Sequence, residues 1–314
     1  MVYQRREYPE WSWSFSRSRL LVECKRKYYY HYYAAHNGWE RSSPQLARQA
    51  YRLKKLTNLH FVFGDALHQA ARLVVQRMYT DPVPIERLTE LVREKLNGAY
   101  RSSRNRQRWM ESPNRYPMLS EFYYGEGPSQ TLVERIKARI PVCLENLLAA
   151  KTMRELEELA PAQILENDDA QPFEYSGTKV YAIADLVYRS LAGQTVIVDW
   201  KSGQDAEEHA EQVALYGLYV KLRHGWSQPH ALARIEYLER GTCEELVLDR
   251  SDLFRAETLI EDSTEHMKSL LADPERNRPL GAEHFPLTES RQRCRWCNFL
   301  ELCEDALAQQ EKSG

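Results

Sequence analysis

Two acidic segments carry the residue types that could bind a metal ion and hydrolyse a phosphodiester. One contains Asp185, and the other reads Asp199-Trp200-Lys201. Side chains alternate between the two faces of a strand, so Asp199 and Lys201 project to one side and Trp200 to the other. If the two segments pair as a hairpin, the carboxylates of Asp185 and Asp199 can hold one cation between them. Hard oxygen ligands suit Mg²⁺, which would activate a water molecule and polarise a phosphate.

Lys201 completes this pattern. Its ammonium could hold the attacking water and offset the charge that develops on the phosphate. The alternative is a plain ion pair between Asp199 and Lys201 on an exposed strand. The preceding run, Thr-Val-Ile-Val at 195–198, indicates an interior strand. Burial of Asp and Lys is costly unless they are paired or bind something, so the context favours a functional site.

Further polar candidates lie on two predicted helices. Gln212 and Tyr216 are four residues apart and share one face of a helix. His68 lies near the start of another. Each has a structural alternative, with Tyr216 in the core, Gln212 at an edge and His68 as an ordinary helix-start residue. Asp65 and Glu166 are weaker acidic candidates.

Four of the six cysteines could form one metal site. Cys294, Cys297 and Cys303 are clustered near one end of the sequence, and Cys24 lies near the other. Four thiolates suit either Zn²⁺ or an iron–sulfur cluster. Disulfides are not expected, because the cytosol keeps thiols reduced. Cys143 and Cys243 fall outside the pattern and are interpreted as ordinary buried residues.

These motifs together resemble a known family. The segments Ala184-Asp185-Leu186-Val187 and Val198-Asp199-Trp200-Lys201-Ser202-Gly203 resemble the active-site hairpin of RecB-type nucleases in the PD-(D/E)xK superfamily. Gly64-Asp65-Ala66-Leu67-His68 and Gln212-Val-Ala-Leu-Tyr216 are similar to the Gly-x-x-x-His and Gln-x-x-x-Tyr elements of that family. Ala184 replaces a common Gly, and Trp200 replaces a common Tyr. Both departures avoid the charged positions.

The resemblance implies a metal-dependent DNA nuclease. Asp185, Asp199 and His68 would bind Mg²⁺ or Mn²⁺, and Lys201 would support the attacking water. Gln212 would contact this lysine or the substrate, and Tyr216 would orient DNA. The expected activity is exonucleolytic or flap-type cleavage of single-stranded DNA, in repair, recombination or phage and CRISPR defence. The alternatives are a catalytically silent DNA-binding or scaffold subunit of a helicase complex and a zinc-stapled α/β protein without a nucleic-acid function.

The cysteine pattern carries a second resemblance. One distant cysteine plus a cluster of three is similar to the iron-staple nucleases, which include AddB-type helicase–nucleases and nucleases of CRISPR adaptation. This implies a [4Fe–4S] cluster that joins segments 18–33 and 291–305. The Pro that usually follows the first Cys is Lys25 here. Zinc remains the alternative metal.

The positioning elements are predicted from periodicity and turn residues. Strands are expected at 172–175, 179–188, 194–201, 231–239 and 243–248, and helices at 64–78, 206–223 and 251–272. A hairpin turn is expected at Ala192-Gly193. Residues 82–161 look like a helical insertion, broken by a polar stretch at 102–117. The expected fold is α/β, a restriction-endonuclease-like mixed sheet flanked by helices, in a single domain over residues 1–314.

Composition and charge limit the location and the classes of binding partner that are expected. The 314 residues are 43% hydrophobic and 28% charged, as in globular proteins, and no apolar run is long enough to cross a bilayer. The N-terminus lacks the apolar stretch of a signal peptide, so a cytoplasmic location is expected. Net charge is −2, yet residues 1–60 hold twelve Lys and Arg against four Asp and Glu. This basic end could attract the phosphates of DNA.

Two basic stretches are candidates for that contact. Residues 25–33 interleave cations with tyrosines that could stack bases, or that could instead cover the cysteine site. Arg101, Arg104, Arg106 and Arg108 form a second positive run. No Gly-x-x-x-x-Gly-Lys motif is present, so any ATP-driven unwinding would come from a partner such as a helicase.

Overall fold

A computed structural model describes residues 5–169, 171–203, 209–226 and 230–304. The α-helices are α1 Phe15–Glu23, α2 Lys25–Tyr29, α3 Gln45–Lys54, α4 Leu59–Arg77, α5 Ile85–Ser103, α6 Arg106–Glu111, α7 Ser120–Tyr123, α8 Gln130–Leu148, α9 Lys151–Glu157, α10 His209–His224, α11 Arg250–Lys268 and α12 Arg291–Cys294. The strands are β1 Trp13–Ser14, β2 Leu56–Thr57, β3 Met118–Leu119, β4 Ile164–Asn167, β5 Phe173–Tyr175, β6 Thr178–Tyr181, β7 Leu186–Arg189, β8 Thr195–Lys201, β9 Ala231–Tyr237, β10 Thr242–Leu248, β11 Leu271–Asp273 and β12 Arg278–Pro279. A π-helical turn at Tyr30–Ala34 follows α2.

The central element is a five-stranded mixed sheet in the order β10-β9-β8-β7-β4. The β8 and β9 strands pair in parallel, and the other neighbours are antiparallel. Parallel neighbours need a crossover connection, and α10 lies in the segment between them. The β8 strand is buried along almost its whole length, which explains its continuous apolar run.

Helices cover both faces of this sheet. On one face, α4, α5, α8 and α9 share a core with Val196, Val198 and Trp200. On the other, α10 and α11 pack against Val187, Ile197 and Ile235. The mixed α/β architecture that the sequence predicts is confirmed. Residues 82–161 contain five helices, α5 to α9, and this helical segment packs on the sheet itself.

One predicted strand was wrong in its extent, and one strand was missed. The predicted strand at 179–188 is two strands in different sheets, because β6 pairs with β1 and β5 whereas β7 joins the central sheet. Residues 182–185 connect the two sheets outside either ladder. Strand β4 was not predicted at all, and it occupies the edge beside β7. The hairpin of β7 and β8 is confirmed, with Gly193 in the left-handed region at φ 76°.

The N-terminal elements pack on the same body. Strand β1 runs parallel to β6, and the indole of Trp13 is fully buried and donates to Ser263 Oγ at 2.7 Å. Tyr30 donates to the carbonyl of Leu302 at 3.0 Å, which joins the two ends of the described chain. In the part of the chain that the structure describes, no helix combines the length and apolar character needed to cross a membrane.

Candidate active site

The β7–β8 hairpin brings the two aspartates together. Leu186 pairs with Val198, so the same register continued by one residue places Asp185 opposite Asp199. Asp185 itself precedes β7. Its backbone carbonyl accepts a hydrogen bond from Asp168 N at 2.9 Å, and its Oδ2 accepts one from Trp200 N at 2.7 Å. These two contacts fix Asp185 at the end of the strand.

Asp199 is the most deeply buried charged residue of the site. Its side chain is 4% exposed, and Lys201 Nζ lies 2.6 Å from its Oδ2. Apart from this ion pair, the buried Oδ2 has no hydrogen-bond partner among the described residues. Burial, together with the charge of Asp185, raises the pKa of Asp199 to about 6 against the opposing effect of Lys201. The carboxylate therefore favours any further cation that reaches it.

A chain of side chains holds Lys201 in place. Lys201 Nζ donates to Gln212 Oε1 at 2.9 Å, and Gln212 Nε2 donates to the hydroxyl of Tyr216 at 2.6 Å. Gln212 and Tyr216 lie one turn apart on α10, which makes this relay possible. Tyr216 is only 6% exposed. Burial and the nearby charges of Asp199 and Asp185 raise its pKa well above the ordinary value. Tyr216 thus supports Gln212 from the interior, which does not fit the predicted contact with DNA.

His68 reaches the same cluster from α4. Its Nδ1 lies 2.9 Å from Asp185 Oδ1. Burial lowers the pKa of His68, but the hydrogen bond with Asp185 and the charges of Asp185 and Asp199 outweigh it and raise that pKa. Close approach of α4 depends on Gly64, since a Cβ there would stand 3.2 Å from Ser202 Oγ. Asp185, Asp199, Lys201, Gln212, Tyr216 and His68 therefore form one connected cluster.

Comparison with protein families agrees with this geometry. The model of the PD-(D/E)XK nuclease superfamily matches residues 12–304. The chain belongs to the PD-(D/E)XK nuclease superfamily. It is therefore a nuclease, and nucleases of this superfamily commonly use divalent metal ions such as Mg²⁺. Among curated proteins, no sequence matches this nuclease.

An open groove of about 800 Å³ leads to the cluster of this nuclease. His68 and Ser202 line it, together with His60, Phe61 and Lys95. Phe61 is 72% exposed, although it lies on a helix whose other apolar residues are mostly buried. A cavity of similar volume, about 810 Å³, lies between the N-terminal segment and β5 and β6, and none of the six cluster residues lines it.

Sequence reasoning missed two residues beside the cluster. Arg139, on α8, donates to the carbonyl of Ser202 directly after the β8 strand and pairs with Glu239 at 2.8 Å. Asp168 donates its backbone N–H to Asp185 and pairs with Arg72 at 3.2 Å. Neither residue belongs to a motif. Asp168 adopts a positive φ of 54° in the structure, a conformation that Asp tolerates better than most residues. Its residue type is therefore the one local feature that fits its position.

The two weaker acidic candidates lie outside the cluster. Asp65 is exposed and pairs with Lys95 at the groove. Glu166 is buried on β4, where its Oε1 receives Tyr219 and is 2.6 Å from His224 Nε2. Its Oε2 is buried without a hydrogen bond among the described residues. Glu166 therefore belongs to a separate polar contact at the edge of the sheet.

The four cysteines of the predicted staple meet at one small cavity. Cys24, Cys294, Cys297 and Cys303 line it together with Lys27. All six cysteines are free thiols. Burial raises the pKa of Cys297, and it raises that of Cys303 to about 11. Cys143 is buried as expected, but Cys243 is exposed, because the outer side of edge strand β10 faces solvent. The prediction of a buried Cys243 was wrong.

Neither candidate metal site has its ligands arranged in a complete coordination geometry. Within residues 5–169, 171–203, 209–226 and 230–304, no group of three or more His, Cys, Asp or Glu side chains is arranged to hold a metal ion. The donor atoms nevertheless match the two chemistries. Two carboxylates and an imidazole suit a hard divalent ion, and four thiols suit a soft metal.

Proposed function

We propose that this nuclease is a Mg²⁺- or Mn²⁺-dependent deoxyribonuclease whose active site is the cluster around Asp199. One observation carries the proposal. The buried Oδ2 of Asp199 has no hydrogen bond in the described part of the chain, although a second carboxylate and a fixed ammonium lie beside it. A buried carboxylate that is incompletely hydrogen-bonded is costly, so its retention is expected where a cation binds.

Asp185, Asp199 and His68 are the residues that would hold the metal. When bound, a divalent ion polarises a phosphate and lowers the pKa of water. Asp199 would contribute its buried Oδ2 as a metal ligand. Asp185 is oriented by Trp200 N, and the Nε2 of His68 has no hydrogen-bond partner among the described residues. This donor set suits Mg²⁺, and the imidazole extends it to Mn²⁺.

Lys201 is the residue proposed to act on the attacking water. Its ammonium is held between Asp199 and Gln212, so two directions are defined and the remaining N–H can point to a water or a phosphate oxygen. A fixed cation stabilises negative charge that develops during the reaction. Gln212 and Tyr216 are positioning residues in this proposal, because they act through Lys201.

Single-stranded or end-bearing DNA is the proposed substrate, cleaved as an exonuclease or at flaps. The open groove supports this proposal, since an exposed aromatic ring such as that of Phe61 suits an unpaired strand. A helicase or another repair or defence protein is the proposed partner. The proposed setting is DNA repair, recombination or defence, in the cytoplasm.

Substitution of the cluster tests the activity. Asp199→Ala and Lys201→Ala should abolish cleavage of end-labelled single-stranded DNA in Mg²⁺, with losses of at least about 10²–10³-fold. Asp262→Asn changes an exposed aspartate on α11 and serves as the matched control, with cleavage expected at the wild-type rate. Cleavage by both cluster variants at the wild-type rate would exclude the proposed site. A wild-type protein that binds DNA without cutting it in Mg²⁺ or Mn²⁺ would indicate the silent subunit instead.

We also propose a [4Fe–4S] cluster at Cys24, Cys294, Cys297 and Cys303. The shared cavity supports it, because thiols from both ends of the chain meet there. Metal–thiolate bonds at this position would join the N-terminal helices to the C-terminal segment and restrict the unfolded chain. The expected role is structural.

Metal analysis of anaerobically purified protein separates the two metals. We expect about four iron atoms per chain and a visible absorption band. Cys24→Ser should lose both, and Cys243→Ser should retain both, since Cys243 is exposed on β10 outside the cavity. A colourless protein that contains zinc and no iron would overturn the cluster and leave the nuclease site untouched.

A further inference from the structure

At the end of α3 lies a group of cations that have no carboxylate partner among the described residues. Lys54 and Arg17 both face the ring of Tyr32, with Lys54 Nζ 5.4 Å and Arg17 Cζ 4.3 Å from its centroid. The His31 ring is tilted by 52° against the same tyrosine, with 4.6 Å between the ring centroids. These residues come from α1, the π-helical turn and α3, so the fold rather than the local sequence assembles them.

Arg17 provides a fixed positive charge. It is 2% exposed, and its guanidinium donates to Tyr28 Oη, Tyr33 Oη and the carbonyl of Ser12. Every one of these acceptors is neutral, so the charge of Arg17 is not compensated. A buried arginine is usually paired with a carboxylate.

Lys54 provides the available donor. It is half-buried and lies over the Tyr32 ring, and no carboxylate among the described residues is paired with it. Burial, together with the charges of Lys55 and Arg17, lowers the pKa of Lys54 to about 8. Burial lowers the pKa of His31, and the charged groups that add to this effect are all cations, namely Lys54, Lys27, Arg17 and Lys55. Such an arrangement is electrostatically unfavourable until an anion binds.

The proposed cluster at the cysteines does not account for these charges. Lys27 lines the cysteine cavity, whereas Lys54 and Arg17 are not among its lining residues. The groove of the candidate active site is closer along the chain. Thr57 lines that groove and follows Lys54 by three residues, a span of at most about 12 Å. Lys54 therefore lies close enough to the groove for a bound strand to extend toward it.

We propose that Lys54, held over the Tyr32 ring and backed by the buried charge of Arg17, binds a backbone phosphate of the DNA strand outside the catalytic groove. This inference rests on the proposed function in taking DNA as the ligand. A lysine ammonium is a point charge that contacts phosphate without reading the base, so the contact should add affinity for any sequence.

Binding measurements with Lys54→Gln test the proposal. Fluorescence anisotropy of a labelled single-stranded oligonucleotide in EDTA reports binding without cleavage, over a series of KCl concentrations. We expect Lys54→Gln to weaken binding about 5- to 10-fold and to reduce the slope of log affinity against log salt by about 0.7, the value for one phosphate. Lys54→Arg should retain the slope, and Lys54→Met, which keeps the apolar stem, should behave like Lys54→Gln.

Lys179 offers the matched control. Its Nζ lies 5.5 Å from the Tyr181 ring, as Lys54 lies over Tyr32, but it is paired with Glu10 at 3.3 Å. Lys179→Gln should therefore leave both affinity and slope unchanged. An unchanged affinity and slope in Lys54→Gln, or a wild-type protein that binds no oligonucleotide, would overturn the proposal.

Failure of this proposal and failure of the nuclease site give different results. Asp199→Ala should lose cleavage and keep the salt slope, whereas Lys54→Gln should lose slope and keep the cleavage rate at saturating DNA. Salt-dependent binding through Lys54 without any cleavage would leave the phosphate contact in place and remove the nuclease proposal.

Discussion

Neighbouring strands of the central sheet carry two buried charge clusters that are built in opposite ways. Arg234, on β9, is 1% exposed, and all three of its guanidinium nitrogens donate, to Glu155, Glu245, Tyr188 and Thr152. Asp199, on β8, is equally buried but keeps one carboxylate oxygen without a hydrogen bond in the described chain. A satisfied network stabilises a fold, and an unsatisfied one leaves room for a ligand.

The saturated cluster connects the helical segment to the sheet. Glu155 and Thr152 lie on α9, Glu245 lies on β10, and Arg234 joins them. The carboxylate of Glu236 receives both the backbone N–H and the hydroxyl of Thr152 at 2.9 Å. Helix α9 is thus anchored by charge as well as by apolar contact. This difference between the clusters predicts opposite responses to substitution.

The largest effect is expected for Arg234→Met. Loss of the guanidinium removes the buried partner of Glu155 and Glu245, which are themselves about one third exposed and regain water, so the free energy of unfolding should fall by about 2–3 kcal/mol. Urea denaturation followed by circular dichroism measures it. Arg276→Met is the control, because Arg276 pairs with Glu7 at an exposed surface, where such pairs contribute at most about 1 kcal/mol. Equal losses in the two variants would show that the buried network has no special weight.

A smaller effect, on the catalytic rate rather than on stability, is expected for Gln212→Ala. Without the Gln212 oxygen, Lys201 loses one of its two fixed contacts, so kcat should fall about 10- to 100-fold with KM unchanged. Gln212→Glu keeps an acceptor and should recover part of the rate. Gln107→Ala removes another one-turn helical contact, between Gln107 and Glu111, and should have no effect. A change in KM alone would assign Gln212 to substrate binding.

A stability gain, or no change, is expected for Asp199→Asn in EDTA. Burial and Asp185 disfavour the charged form of Asp199, so its removal relieves an energy on the order of 1–3 kcal/mol. Loss of the ion pair with Lys201 offsets part of this gain. The free energy of unfolding should therefore be equal to or higher than that of the wild type. A loss as large as that of Arg234→Met would show that both clusters are structural.

The catalytic cluster was more accessible to sequence reasoning than the structural one. The run at 195–201 predicts a buried strand, and the spacing of Gln212 and Tyr216 predicts one helical face. In contrast, Ala-Arg-Ile-Glu-Tyr at 233–237 alternates apolar and charged residues, as an exposed strand face would. That charged face is buried because α9 and β10 supply its partners, and such partners cannot be read from periodicity. The extent of the strand predicted at 179–188 was wrong for a similar reason. Asp185 contacts Asp168, a residue far from it in the sequence, and periodicity does not indicate such a contact.

The difference in unfolding free energy between Arg234→Met and the wild type should depend on pH. Burial raises the pKa of Glu155 and of Glu245, but the hydrogen bonds and charge of Arg234, with Tyr188 or Lys151, outweigh it and lower both below the ordinary 4.5. A lowered pKa in the folded state stabilises the protein above the unfolded value and loses that stabilisation as pH falls through the folded value. The gap in unfolding free energy between wild type and Arg234→Met should thus be full at pH 7 and narrow as pH falls below about 4.5. A gap that stays constant down to pH 3 would mean that Arg234 contributes packing rather than charge.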